Sequence, residues 1–176
     1  EFRSHPGLLS PRGLMLVARA DQRAAFDADV VAMDFAPVPV AAAVARVPIL
    51  NPAVVALAAV AEHGWDIDTD RLIQQFARDV RANGRIITGA RVTALEPAPG
   101  GWRATHAGGT VTGRLVFNAA GAWADQIARL AGVRPLGLQP MRRSMARIPA
   151  PGGQDVSGWP MLFGPGETWY AKPDAG

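Results

Sequence analysis

The sequence predicts a mixed α/β chain, and three stretches carry that expectation. Residues 69–82 place Leu72, Ile73, Phe76, Ala77 and Val80 on one side of a helix and Arg71, Gln74, Gln75, Arg78 and Arg81 on the other. Residues 91–112 read as three short strands, Arg91–Glu96, Trp102–His106 and Thr110–Thr112, separated by Pro97-Ala98-Pro99-Gly100-Gly101 and Gly108-Gly109. Short strands with glycine turns make an antiparallel meander. Residues 113–133 then read as strand, turn of small residues and helix. Leu115-Val116-Phe117 has the look of a strand covered on both faces. Asn118-Ala119-Ala120-Gly121 carries almost no side chain, and Trp123, Ile127, Leu130 and Ala131 recur at helical spacing up to Gly132.

The remaining elements follow in chain order. Residues 1–12 hold His5-Pro6-Gly7 and Ser10-Pro11-Arg12 and read as loop. Residues 13–18 are apolar and read as a strand. Asp21 is placed to cap a helix whose stripe is Phe26, Val30 and Met33, with Pro37 and Pro39 as breakers. A short helix is expected from Val40 to Val47, and 51–61 fits strand or helix. In Asp66-Ile67-Asp68-Thr69-Asp70 the alternate aspartates suggest a metal loop, but the glycine and distal glutamate of a calcium loop are missing. Asp68 or Thr69 as helix cap, with Asp70 at the positive end of the dipole, is the simpler account, so no metal site is assigned. Asn83-Gly84 supplies a left-handed helix stop, and Arg85-Ile86-Ile87 a short strand. Past the Pro135–Pro140 crossing, residues 161–163 and 168–172 read as strands.

Composition narrows the function. The 176 residues are 49% hydrophobic and 19% charged, as in a globular chain with a real core. There is no cysteine, which removes disulfides, thiolate metal sites and cysteine nucleophiles and fits a reducing, cytoplasmic setting. No apolar run reaches the roughly 20 residues of a membrane helix. The net charge of +3 comes from scattered arginines and a single lysine, Lys172, rather than from a basic face, so nucleic acid is not an expected partner. No G-x-S-x-G, phosphate-binding P-loop or paired nucleophile and base stands out.

Val116-Phe117-Asn118-Ala119-Ala120-Gly121-Ala122-Trp123-Ala124 resembles the V-V-N-A-A-G-A-W-[AS] signature of FAD-dependent oxidoreductases of the D-amino-acid oxidase, glycine oxidase and sarcosine oxidase family. Arg91-Val92-Thr93-Ala94-Leu95 is similar to the family's strand before its meander, Pro140-Met141-Arg142 to its P-x-R strand, and Tyr170-Ala171-Lys172-Pro173 to its Y-[IV]-x-P. Arg143 departs from the family pattern, where glycine is usual. The resemblance implies the middle portion of an FAD-binding Rossmann-like domain with an inserted β-meander at 91–112, plus the start of a substrate-binding sheet. It divides the chain into a substrate-side segment 1–50, part of the FAD-binding domain at 51–134, and the opening of the substrate sheet at 135–176.

By the same resemblance, Val92, Ala119, Ala120, Gly121 and Trp123 would meet FAD, while Arg142 and Tyr170 would meet substrate. The G-x-G-x-x-G turn that holds dinucleotide pyrophosphate is absent from these residues, so the chain reads as an internal fragment of a longer enzyme, with FAD held only by the full-length protein. The implied reaction is oxidation of an amine or amino acid by hydride transfer to flavin. A hydroxy acid or glycerol phosphate is the alternative substrate. A folded or domain-swapped fragment without catalysis is the alternative for the chain alone.

Overall fold

The computed structural model describes residues 7–174. The stretches around His5 and Glu1-Phe2 lie outside the described residues. Contacts divide the chain into two units, one formed by the residues up to Phe76 together with those from Arg147 onward, the other by Ala77–Ala146.

In the first unit, β1 (Leu9–Pro11) pairs antiparallel with β5 (Trp65–Ile67). A five-stranded mixed sheet runs in the order β10 (Tyr170–Ala171), β9 (Met161–Phe163), β2 (Leu14–Ala18), β4 (Leu57–Ala61), β3 (Ala36–Val38). The centre is β2, parallel to β9 and antiparallel to β4. Alternation on β2 explains its unbroken apolar run. Met15 and Val17 pack with Ala43 and Val47 of the α2 (Val40–Arg46) region, while Leu16 and Ala18 pack with Phe26 of α1 (Arg23–Ala32) and with Phe35. A strand buried on both faces has no position left for a polar side chain.

Several expectations change here. Residues 9–11 are strand rather than loop, because β5 lies beside them. Asp21 does not cap α1: it pairs with Arg19 at 3.1 Å in a 3-10 turn, Ala20–Gln22, that precedes the helix. Pro37 sits inside β3 rather than in a break, which the sheet tolerates because β3 is an edge strand and needs no donor on its outer side. β4 is a full member of the sheet built on β2.

α3 (Thr69–Asn83) begins as expected, with the Arg71 N–H donating to Asp68 Oδ1 at 2.9 Å. It ends at Asn83, but Gly84 is not among the left-handed glycines. Its apolar side is open: Ile73, Phe76 and Val80 are exposed.

In the second unit, β6 (Val92–Ala98), β7 (Gly101–His106) and β8 (Gly109–Gly113) form the expected meander. Its register shifts between Val92 and Ala94, so Thr93 is the extra residue of a bulge, and its hydroxyl donates to the Thr105 carbonyl at 3.2 Å. The turn and helix after Asn118 also form, as a 3-10 turn at Gly121–Trp123 and α4 (Ala124–Leu130). Gly132 stops α4 with φ +64°, and the Val133 N–H reaches back to the Ala128 carbonyl at 2.9 Å.

Residues 85–87, 115–117 and 141–148 are not strands. Leu115 is 72% and Phe117 88% exposed, so the expectation of a strand covered on both faces fails. A strand is stable only beside another strand, and among the described residues none pairs with these segments.

Candidate functional site

Asn118 organises the turn that leads into α4. Its Nδ2 donates to the Ala124 carbonyl at 2.8 Å, and its Oδ1 accepts the Ala120 N–H at 3.3 Å. The side chain thus closes the loop Ala119-Ala120-Gly121 on the start of the helix. Gly121 takes φ +53°. A Cβ built there meets nothing within 4 Å, so the glycine is required by the backbone and leaves open space above it.

The turn delivers Trp123 to the wall of an open groove of about 730 Å3, lined by Arg91, Val92, Thr93, Trp123, Gln126, Ile127 and Leu130. Val92 and Trp123, matched 31 residues apart to one family, therefore face one groove. A narrower cavity of about 210 Å3, lined by Leu95, Trp102, Val116, Asn118 and α4 residues, shares Ile127 with it. Sequence reasoning grouped Ile127 and Leu130 with Trp123 by helical spacing without assigning them to a site, and it missed Gln126, three residues from Trp123 on the same face. Arg91 and Thr93 carried no such signal, because the bulge that places them depends on pairing with β7.

Among the groove residues only Arg91 is titratable, so the surface is built to bind rather than to move protons. It offers an indole face 62% exposed at Trp123, a guanidinium at Arg91 and the free side of an edge strand. Among the described residues β6 is hydrogen-bonded only to β7, so the backbone groups on its other side remain available to a ligand. Together these suit a flat heteroaromatic ring carrying an anionic tail.

Next to this face, Asp125 is buried, and its carboxylate accepts the backbone N–H groups of Leu136 at 3.0 Å and of Gly137 and Leu138 at 2.9 Å. This nest fixes the crossing segment that precedes Arg142. Arg142 itself lies in a stretch without regular structure and is exposed.

In the first unit, Tyr170 is half-exposed on β10, opposite Phe163. The strand is shorter than the expected 168–172. Trp169 lies outside it and rests on Gly164, where an added Cβ would overlap the indole. Lys172, just past β10, donates to Asp66 Oδ1 at 3.0 Å, and Arg12 holds Asp66 Oδ2 at 2.6 Å. Asp66 is thus one acid between two cations rather than part of an acidic cluster. Partial burial works to raise its pKa, but the hydrogen bonds and charges of Arg12 and Lys172 outweigh that and hold it below the usual aspartate range. Among the described residues no group of three or more His, Asp or Glu is placed to hold a metal, and no helix is long and apolar enough to cross a membrane.

The family model of DAO, FAD dependent oxidoreductase, matches residues 2–176. The chain belongs to this family. The fold of this DAO-family chain is similar to that of L-proline dehydrogenase from P. horikoshii, with a TM-score of 0.63 at 15% identity over 89% of this chain and 44% of the other. It is also similar to L-alpha-glycerophosphate oxidase from Mycoplasma pneumoniae, solved dithionite-reduced with FAD bound, with a TM-score of 0.58 at 21% identity over 70% of this chain and 36% of the other. The chain therefore spans less than half the length of either flavoenzyme. The mixed α/β architecture and the FAD dependence of the family agree with the sequence resemblance. The donor set of the groove fits one end of the cofactor: edge amides and an aromatic face for a ring, and a cation for a phosphate.

Proposed function

We propose that these 176 residues form the part of an FAD-dependent oxidoreductase that receives the adenine end of the cofactor and opens the substrate sheet. The observation that carries the reading is the shared groove of Val92 and Trp123. In it, the free edge of β6 at Val92 and the side chains of Trp123 and Leu130 would hold the ring, and Arg91 would offer a cation to a phosphate. Ala119, Ala120 and Gly121 keep the approach clear of side chains. When bound, the flavin supplies the two-electron acceptor for a hydride from the substrate carbon.

We further propose that the whole protein acts on an amine or amino acid. Support comes from Tyr170, whose hydroxyl can hold a substrate carboxylate or amine, and from Arg142, a bidentate partner for a carboxylate. The similarity to a proline dehydrogenase over 89% of this chain is consistent with it. The similarity to a glycerophosphate oxidase favours a second reading, oxidation at a carbon bearing a hydroxyl.

The test is anaerobic reduction of the full-length protein with L-proline, glycine and glycerol 3-phosphate, followed by loss of the flavin's visible absorbance. Reduction by an amino acid supports the first reading, and reduction by glycerol 3-phosphate alone replaces it with the second. A full-length protein that binds no flavin overturns both.

A further inference from the structure

We propose that Lys172, anchored by Asp66, is a positioning residue that fixes the place of Tyr170. The inference rests on the reading of Tyr170 as a substrate contact.

β10 consists of two residues, held by the pairs Tyr170–Phe163 and Ala171–Leu162 and by one further backbone bond, Gly164 N–H to the Trp169 carbonyl at 3.0 Å. So short a strand at a sheet edge has few ladder bonds to define it. Its exit is tied down instead by Lys172, whose ammonium reaches Asp66 Oδ1 at 3.0 Å across 106 residues of sequence. An exposed ion pair contributes little when both partners are free to move. Here the acceptor is not free. Asp66 lies on β5, opposite Ser10 of β1, and its second oxygen is taken by Arg12. Arg12 in turn donates to the carbonyls of Ser157 at 2.6 Å and Trp159 at 3.1 Å, just ahead of β9.

The two oxygens of Asp66 therefore have separate duties. The Oδ2 side is held by Arg12, 17% exposed, which fixes the carboxylate to the strand pair β1–β5 and the 157–159 loop. The Oδ1 side faces Lys172, 44% exposed, and passes that fixed position to the end of β10, two residues from Tyr170. Lys172 can be lost without unpairing Arg12 and Asp66.

The experiment compares Lys172→Met, Lys172→Arg, Tyr170→Phe and the double variant Lys172→Met/Tyr170→Phe in the full-length enzyme, with L-proline and glycine as substrates. The expected result for Lys172→Met is a rise in KM of roughly 3–10-fold with kcat within about twofold, unchanged flavin content and only a small change in Tm. Lys172→Arg should restore KM, and Lys172→Met should add nothing in the Tyr170→Phe background. As a readout independent of turnover, ring-labelled tyrosine NMR, assigned with Tyr170→Phe, should show the Tyr170 ring signal shifted in Lys172→Met and restored in Lys172→Arg.

An unshifted ring signal in Lys172→Met overturns the proposal. So does a Lys172→Met effect on KM of equal size with and without the Tyr170 hydroxyl. If Tyr170→Phe leaves KM unchanged, the substrate role of Tyr170 fails and the proposal falls with it. If Tyr170→Phe raises KM while Lys172→Met does not, only the proposal fails.

Discussion

The buried carboxylate of Asp125 accepts the backbone N–H of Gly137 at 2.9 Å, with the N–H groups of Leu136 and Leu138 on the same side chain. One residue of α4 thus defines the path of a segment that has no strand or helix of its own. Removing a charged acceptor leaves three donors to be satisfied by water or not at all. Asp125→Ala is expected to destabilise the protein by about 1–3 kcal/mol, and Asp125→Asn by less, because the amide oxygen can still accept. Denaturant unfolding of the two variants measures the difference, and equal stability to the parent would remove Asp125 from this role.

Gly121 tests the turn. A valine has room, since nothing lies within 4 Å of the built Cβ, but it must take φ near +53°. The left-handed conformation costs an ordinary residue about 1–2 kcal/mol, and a β-branched one more. Gly121→Val is expected to lower flavin content in the full-length protein, with Gly121→Asn closer to the parent because asparagine tolerates this region. Equal flavin loading in all three proteins would make the turn a packing corner only.

Trp123 separates binding from folding. Its indole is 62% exposed, so truncation removes little packing. Trp123→Ala is expected to leave Tm within a few degrees of the parent while reducing flavin occupancy, measured as visible absorbance per protein. A large fall in Tm with normal occupancy would show the reverse assignment.

Asp66 gives a pH signature. Its folded pKa lies below the ordinary aspartate value: burial opposes the shift, and Arg12 and Lys172 prevail. A depressed acid contributes stability that is fully present above the unfolded pKa and is lost as pH falls through the folded one. Stability is therefore expected to decline on the acid side of the ordinary aspartate range, and Asp66→Asn to flatten that decline while lowering stability near neutrality. Parallel acid limbs in the two proteins, measured by denaturant titration at successive pH values, would contradict it.

Gly164 tests the packing under Trp169. A methyl group there would overlap the indole, which must then turn away. Gly164→Ala is expected to destabilise by about 1–3 kcal/mol and to shift tryptophan fluorescence to longer wavelength. An unchanged emission spectrum would place Trp169 elsewhere.

What the sequence determined by itself is local. The amphipathic face and Asp68 cap define α3, the glycine turns define the β6–β7–β8 meander, and Gly132 ends α4, because each depends on residues a few positions apart. The family signature was likewise legible, since Asn118, Gly121 and Trp123 form one contiguous motif. The tertiary structure decided what depends on a distant partner. Leu9–Pro11 is a strand only because Trp65–Ile67 lies beside it, and Pro37 is admitted to β3 only because that strand is an edge. Leu115–Phe117 has strand-forming residues and no strand beside it among the described residues, so propensity alone does not order it. The same holds for function. That Val92 and Trp123 share a groove, and that Lys172 shares Asp66 with Arg12, follows from ladder register and chain return, which no spacing along the sequence encodes.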